Sequence, residues 1–156
     1  NETSPLNPET NYASVKAIAE YLLQKGIKSR NLTILRLSNL YGPSQTKGLA
    51  AYILKSYLTD KKLSFNNNGS LLRYYLHVKD CATLINDLID QNTPSNIFNI
   101  IGSEIYSLIE LINQFEDNFN TFFTKKFLNV QPLENINQID DSKLKLYYDL
   151  CAISNY

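Results

Sequence analysis

Tyr12 and Lys16, four residues apart in NYASVKAIAE (Asn11 to Glu20), are the side chains of this sequence best typed for proton transfer. A phenol can take or return a proton, and an ammonium beside it favours the phenolate. On a helix that spacing puts both groups on one face, a turn apart. The spacing does not single them out, because Tyr-x-x-x-Lys recurs at Tyr21/Lys25, Tyr57/Lys61 and Tyr75/Lys79. The surroundings of each pair must decide between catalyst and coincidence.

The elements that would position these residues follow from periodicity. Asn1 to Asn11 is rich in Pro, Asn and Thr and reads as a loop. Ala13, Ala17, Ile18, Tyr21 and Leu22 then recur at helical spacing, predicting a helix over 12–25 that Gly26 stops. LTILRL (32–37) reads as a strand, with a turn at Tyr41-Gly42-Pro43. A helix is expected over 48–60, a short strand at KLSF, a turn at NNNGS and a strand over 72–78. A helix over 79–90 and a strand at NIFNII (96–101) follow. Ser107 with Glu110 three residues on forms a capping-box pattern before LIELINQF. A strand around 127–130 and a short helix around 142–147 close the series. Strands alternating with helices predict an α/β fold.

Composition narrows the partners. The 156 residues carry 15 Lys plus Arg against 15 Asp plus Glu, and only three arginines, unclustered: Arg30, Arg36 and Arg73. No net field favours nucleic acid or an anionic membrane. No apolar run approaches the roughly 20 residues of a membrane span. The lone His77 and the widely separated Cys81 and Cys151 have no metal-ligand spacing. Both cysteines read as free thiols, with a disulfide between them the alternative, and free thiols predict a reducing, cytoplasmic setting. The chain begins at Asn1 and contains no methionine, consistent with processing or trimming or with a missing N-terminal part.

The context of Tyr12 is specific. ETSPLNPETNYASVKAIAE resembles the active-site segment of the extended short-chain dehydrogenases/reductases, the NAD-dependent nucleotide-sugar epimerase/dehydratase family. There a Glu-x-x-Pro-x-Asn-Pro loop precedes Tyr-x-x-x-Lys and a glutamate follows; here these are Glu2, Pro5, Asn7, Pro8, Tyr12, Lys16 and Glu20. LTILRLSNLYGPSQ resembles the family's Arg-x-x-Asn-x-Tyr-Gly-Pro block. NNNGSLLRYYLHVKD resembles its Gly-x-x-x-Arg strand, IFNIIGSEIYSLIELI its Asn-Ile-Gly strand and helix, and DDSKLK its C-terminal Asp-x-Ser-Lys helix. The other three Tyr/Lys pairs lack such context.

The resemblance implies a Rossmann-type parallel sheet, here its C-terminal part, plus a small α/β substrate-binding subdomain. Residues 1–46 would belong to the dinucleotide-binding domain with its active-site helix. Residues 47–156 would be mainly the substrate subdomain, with a strand or helix able to return to the sheet. Tyr12 would serve as acid/base while hydride passes between a sugar carbon and NAD, and Lys16 would also hold the nicotinamide ribose. Asn39 would contact the nucleotide-sugar, or simply be a turn residue. Arg73 would clamp its pyrophosphate through bidentate guanidinium geometry, or be a solvated strand arginine. Phe65 would stack on the base, or fill a strand's buried face. His77 reads as structural.

Several family features are absent from the sequence. Asn67-Asn68-Gly69 stands where Gly-Asp-Gly is usual, Tyr74 where Asp is usual, and no arginine follows Arg73. No Gly-x-x-Gly-x-x-Gly turn supplies the family's cofactor cradle, and the catalytic Ser or Thr that the family normally carries upstream of the tyrosine is missing as well. The chain therefore reads as the C-terminal half of an enzyme that by itself would not turn over, the intact enzyme being a homodimer. An NADP-dependent reductase of the same superfamily, or a non-catalytic binding or assembly module, are the alternatives.

Overall fold

The computed structural model of the protein describes residues 1–27, 32–90, 95–128 and 138–148. Arg30, Cys151 and the last two residues of the strand expected at 127–130 lie outside them. The fold is α/β, as the alternation of patterns predicts.

Helix α1 (Asn11–Gly26) opens on Thr10, whose Oγ1 accepts the Ala13 N–H at 3.1 Å. Strands β1 (Ile34–Leu37) and β2 (Asn39–Tyr41) lead to α2 (Leu49–Leu58), β3 (Lys62–Phe65), β4 (Leu72–His77) and α3 (Val78–Asp90). They are followed by β5 (Ile97–Ile100), β6 (Glu104–Ser107), α4 (Leu108–Asn118), β7 (Thr124–Phe127) and α5 (Ser142–Lys145). Three pairings are parallel: β1 with β5, β2 with β4, and β3 with β7. The fourth, β4 with β6, is antiparallel. Parallel partners cannot be joined by a tight turn, so the chain between β1 and β5 crosses over through β2, α2, β3, β4 and α3.

Two apolar clusters result. In the first, α3 lays Cys81, Leu84 and Leu88, one helical face, on Leu76, Phe98, Ile100 and Leu144. In the second, Ile53 of α2 and Leu108 and Ile112 of α4 close on Leu63 and Phe123. Burial pushes the Cys81 thiol up and leaves it an unreactive core residue.

The capping box expected at Ser107 forms in full. The Ser107 N–H donates to Glu110 Oε2 at 2.7 Å, and the Glu110 N–H donates to Ser107 Oγ at 3.2 Å. These bonds hold the Glu110 carboxyl below the usual carboxylate range.

Three elements depart from the sequence reading. The segment 39–41, read as the approach to a turn, is strand β2. Residues 104–107, read only as the run-up to a helix, form β6. Strand β7 begins at Thr124, three residues before the expected start. Each short strand is fixed by lateral hydrogen bonding to a distant partner rather than by local alternation.

Gly102, at the end of β5, lets the chain pass flat against β4. A Cβ there would overlap the Tyr75 carbonyl, which belongs to backbone and cannot swing away. Gly102→Ala should therefore destabilise the fold by about 3 kcal/mol, read as a fall in the urea midpoint.

Candidate functional site

Helix α1 packs unusually. Its inner stripe is Ala13, Ser14, Ala17 and Glu20, all half-buried, whereas Val15, Ile18 and Leu22 are exposed, and no residue of the helix is fully buried. Small side chains bring the helix close but supply little apolar burial. Polar bonds do more of the fastening.

Arg36 on β1 reaches Glu20 in a fork, Nε to Oε2 at 3.0 Å and Nη2 to Oε1 at 2.5 Å. Its Nη1 donates to the Glu2 carbonyl at 3.2 Å. The Glu2 carboxylate in turn accepts the Asn99 N–H at 2.9 Å, and Asn99 lies opposite Arg36 in the β1–β5 register. Asn99 Nδ2 completes the chain of contacts on the Asp140 carbonyl at 2.9 Å. Glu20 raises the proton affinity of the Arg36 guanidinium by hydrogen bonding, against a smaller opposing cost of burial. Glu2 and Glu20 stand out in the sequence as motif positions; that Arg36 and Asn99 are their partners is legible only in the fold.

So held, α1 presents Tyr12 and Lys16 on its first turns. Lys16 Nζ lies 5.6 Å from the Tyr12 ring centroid, and Tyr12 is 73% exposed. The same arrangement recurs at Tyr21/Lys25 and Tyr57/Lys61, at 5.7 and 5.6 Å. Local geometry thus separates the pairs no better than spacing does. Tyr75 and Lys79 fall on a strand and the following helix, as the sequence indicates.

Asn39 and Arg73 meet on another surface. Paired residues of a sheet point to the same side, and alternate residues along a strand share a face. Asn39 and Glu104 both pair with Tyr75, Tyr41 pairs with His77, and Arg73 pairs with Tyr106. One face of the β2–β4–β6 sheet therefore carries Asn39, Tyr41, Arg73, Tyr75, His77, Glu104 and Tyr106. Asn39 Nδ2 donates to the Tyr74 carbonyl at 3.2 Å, which turns its amide along the sheet. Burial pushes the Tyr75 phenol up, and the charge of Arg73 partly offsets it. Phe65 stands apart, on β3 beside the second core, stacked on Phe127 at 5.5 Å and edge-on to Tyr52 at 5.6 Å.

At the His77 end of this face opens a cavity of about 840 Å³, lined by Tyr41, Tyr75, His77, Asp80, Asn86 and Glu104 among others. The Tyr41 and His77 rings meet edge to face at 5.1 Å. From the sequence His77 reads as structural, and Tyr41, Tyr75 and Glu104 do not stand out. The signal available was period two in LRYYLH, with Arg, Tyr and His on alternate positions. Among the described residues no group of three or more His, Cys, Asp or Glu is placed to hold a metal ion, and no helix is long and apolar enough to cross a membrane.

Comparisons with known proteins agree with this architecture. The profile of the NAD dependent epimerase/dehydratase family matches residues 1–100. The dTDP-D-glucose 4,6-dehydratase of Dictyostelium discoideum is 32% identical over 103 residues, covering 64% of this chain and 24% of that protein. An uncharacterized UDP-glucose epimerase of Bacillus subtilis, YtcB, is 26% identical over 156 residues, covering 96% of this chain and 49% of that protein. Among solved structures, the dTDP-glucose 4,6-dehydratase of Bacillus anthracis in complex with NAD superposes with a TM-score of 0.79 at 26% identity, over 94% of this chain and 48% of that one. The UDP-glucuronic acid 4-epimerase of Bacillus cereus, in complex with UDP-glucuronic acid and NAD, gives 0.77 at 27% identity, over 92% and 46%. The chain spans about half the length of these relatives, or less. With a profile matching most of its length, and with the Glu2, Tyr12, Lys16 and Glu20 segment tied onto a parallel strand pair, this chain belongs to the NAD-dependent epimerase/dehydratase family.

Proposed function

We propose that this chain supplies the proton-transfer and substrate-holding part of a nucleotide-sugar 4,6-dehydratase or epimerase. The observation that carries the reading is the family profile over residues 1–100, within which Tyr12 and Lys16 stand exposed on a helix fastened by Arg36 and Glu20. The named relatives act on dTDP- or UDP-linked sugars.

Tyr12 is the acceptor for the proton of a sugar hydroxyl as that carbon is oxidised, and returns it when the carbon is reduced. Lys16, a turn away, offers its N–H donors to a diol, as a nicotinamide ribose would present. That donor set fits the ribose side of NAD; the sequence holds no glycine-rich turn for the pyrophosphate. A bound nicotinamide supplies the hydride acceptor. Asn39 and Arg73, on one sheet face, hold the diphosphate, and the guanidinium matches its charge and geometry. Residues 1–46 with the returning strand β5 form the cofactor side, and residues 47–156 mainly the substrate side. The outward Val15, Ile18 and Leu22 are the surface through which two copies of the enzyme would pair.

The test is turnover. Joined to a glycine-rich dinucleotide-binding half, the chain should convert dTDP-glucose or UDP-glucose in the presence of NAD, detected by mass change or epimerised product. The 156-residue chain alone should not. Turnover by the isolated chain, or none by the completed one, overturns the reading.

A further inference from the structure

We infer that the two adjoining turns at one end of the second apolar cluster, 58–62 and 118–125, form a docking surface for an anionic phospholipid membrane.

The turns are neighbours in space. The Thr124 N–H donates to the Lys61 carbonyl at 2.9 Å, and the Tyr57 and Phe119 rings lie 5.5 Å apart. Leu58 and Phe122, each 72% exposed, and Phe119 project from them into solvent. Phe123 is fully buried beside Phe122, so the chain turns one ring into the core and the next one out of it. Three large apolar groups on adjoining tips make a patch, unlike the single exposed side chains ordinary to a protein surface. Both turns also hold a non-glycine residue in the left-handed region, Lys61 at φ 54° and Asn120 at φ 43°. Such unfavourable backbone is concentrated at functional segments.

Charge selects the partner. The chain is neutral overall, but the exposed lysines about these turns, Lys55, Lys61, Lys62 and Lys126, outnumber the exposed Asp60 and Asp117. Lys62 and Lys126 share the outer face of the β3–β7 pair with Ser64 and Thr124. Glu116 is engaged inward: its carboxylate accepts the Phe123 N–H at 2.7 Å and a Lys125 Nζ donor at 2.6 Å. Apolar tips ringed by lysines match the layered chemistry of a bilayer surface. The rings enter at the acyl boundary while the lysine stems leave their ammonium groups among the phosphates. Two copies pairing through this surface would set like charges against each other. A single-stranded nucleic acid needs open ring faces, whereas Phe119 is stacked on Phe115 at 4.3 Å and Lys125 Nζ lies over Phe122 at 5.0 Å. Tyr12, Lys16, Asn39 and Arg73 take no part in the surface, so it stands or falls separately from the oxidoreduction proposed above.

Cosedimentation of the 156-residue chain with vesicles tests this. With phosphatidylcholine holding about 30 mol % phosphatidylserine, half-binding should require on the order of 0.1–1 mM accessible lipid at low salt. Phosphatidylcholine alone should bind at least about tenfold more weakly, and ~0.5 M salt should remove most of that difference. Lys62→Gln and Lys126→Gln together should weaken binding to the anionic vesicles about 25-fold, at roughly fivefold for each lysine near the lipid. Phe122→Gln should weaken it about tenfold, whereas Ile89→Gln, at a similarly exposed apolar position on α3, should leave it unchanged. All four side chains are exposed, and unchanged circular dichroism would show that the variants fold. Equal binding to neutral vesicles, no binding, or full binding by the lysine and Phe122 variants overturns the proposal. Tighter binding of an oligouridylate than of the anionic vesicles, or self-association abolished by Phe122→Gln, also overturns it and assigns the surface to RNA or to a second copy.

Discussion

Tyr12→Phe should lower kcat of the completed enzyme by about 10³-fold and leave KM for the nucleotide-sugar within about twofold. The substitution removes one oxygen from a side chain that is 73% exposed, so it opens no cavity and strands no buried partner. Stability should therefore hold, and the loss should be confined to the step in which the sugar hydroxyl gives up its proton. Steady-state kinetics with a single nucleotide-sugar reads both parameters. Tyr21→Phe is the matched comparison: its lysine lies 5.7 Å from the ring, nearly the Tyr12 geometry, yet it stands more than two turns further along α1. It should leave kcat unaltered. Equal losses in both variants would mean that helix surface, rather than the Tyr12 phenol, is what the reaction needs.

The second large effect is structural. Arg36→Leu should destabilise the fold by about 2 kcal/mol in urea or thermal unfolding. The pair it breaks is largely covered, with side-chain exposures of 21% for Arg36 and 11% for Glu20. Removing the guanidinium leaves the Glu20 carboxylate facing the sheet without its fork, and frees the Glu2 carbonyl as well. Residual access of water to Arg36 keeps the cost below that of a fully buried pair. The change should fall mainly on α1, because Ala13, Ser14 and Ala17 offer so little apolar area to hold it. Amide hydrogen exchange should consequently accelerate in α1 and stay nearly unchanged in α3, whose Leu84 and Leu88 are buried in the first core. Uniform acceleration throughout the chain would show that the fork supports the whole fold instead of one helix. A double-mutant cycle with Glu20→Gln should return a coupling of about 1–2 kcal/mol.

These two results bear on each other. A phenol with the acid/base role proposed for Tyr12 could not perform it from a helix free to rock. The Arg36–Glu20 fork and the Glu2–Asn99 bond are what tie that helix and its leading loop to β1 and β5. The completed enzyme carrying Arg36→Leu should thus also lose turnover, with Tyr12 itself intact.

Much of this protein was determined locally. The helices α1, α3 and α4 report themselves through the spacing of their apolar residues and through Gly26 and the Ser107/Glu110 box, because a helix satisfies its backbone within a few residues. The motif blocks around Glu2, Tyr12, Asn39 and Arg73 were likewise contiguous in the chain, so the family could be recognised from them. Strands β2 and β6 could not be read in this way. Their backbone groups are satisfied by β4, which is remote in sequence, and the residues themselves carry no alternation that requires extension. Nor could the sequence indicate that Asn39 and Glu104 share a sheet face with Arg73 and Tyr75, since that depends on register. The charge partners follow the same rule: Arg36 finds Glu20 across 16 residues and Glu2 finds Asn99 across 97. Only the path of the folded chain brings such groups within hydrogen-bonding distance, because a carboxylate's sequence neighbours do not specify which distant donor it will meet.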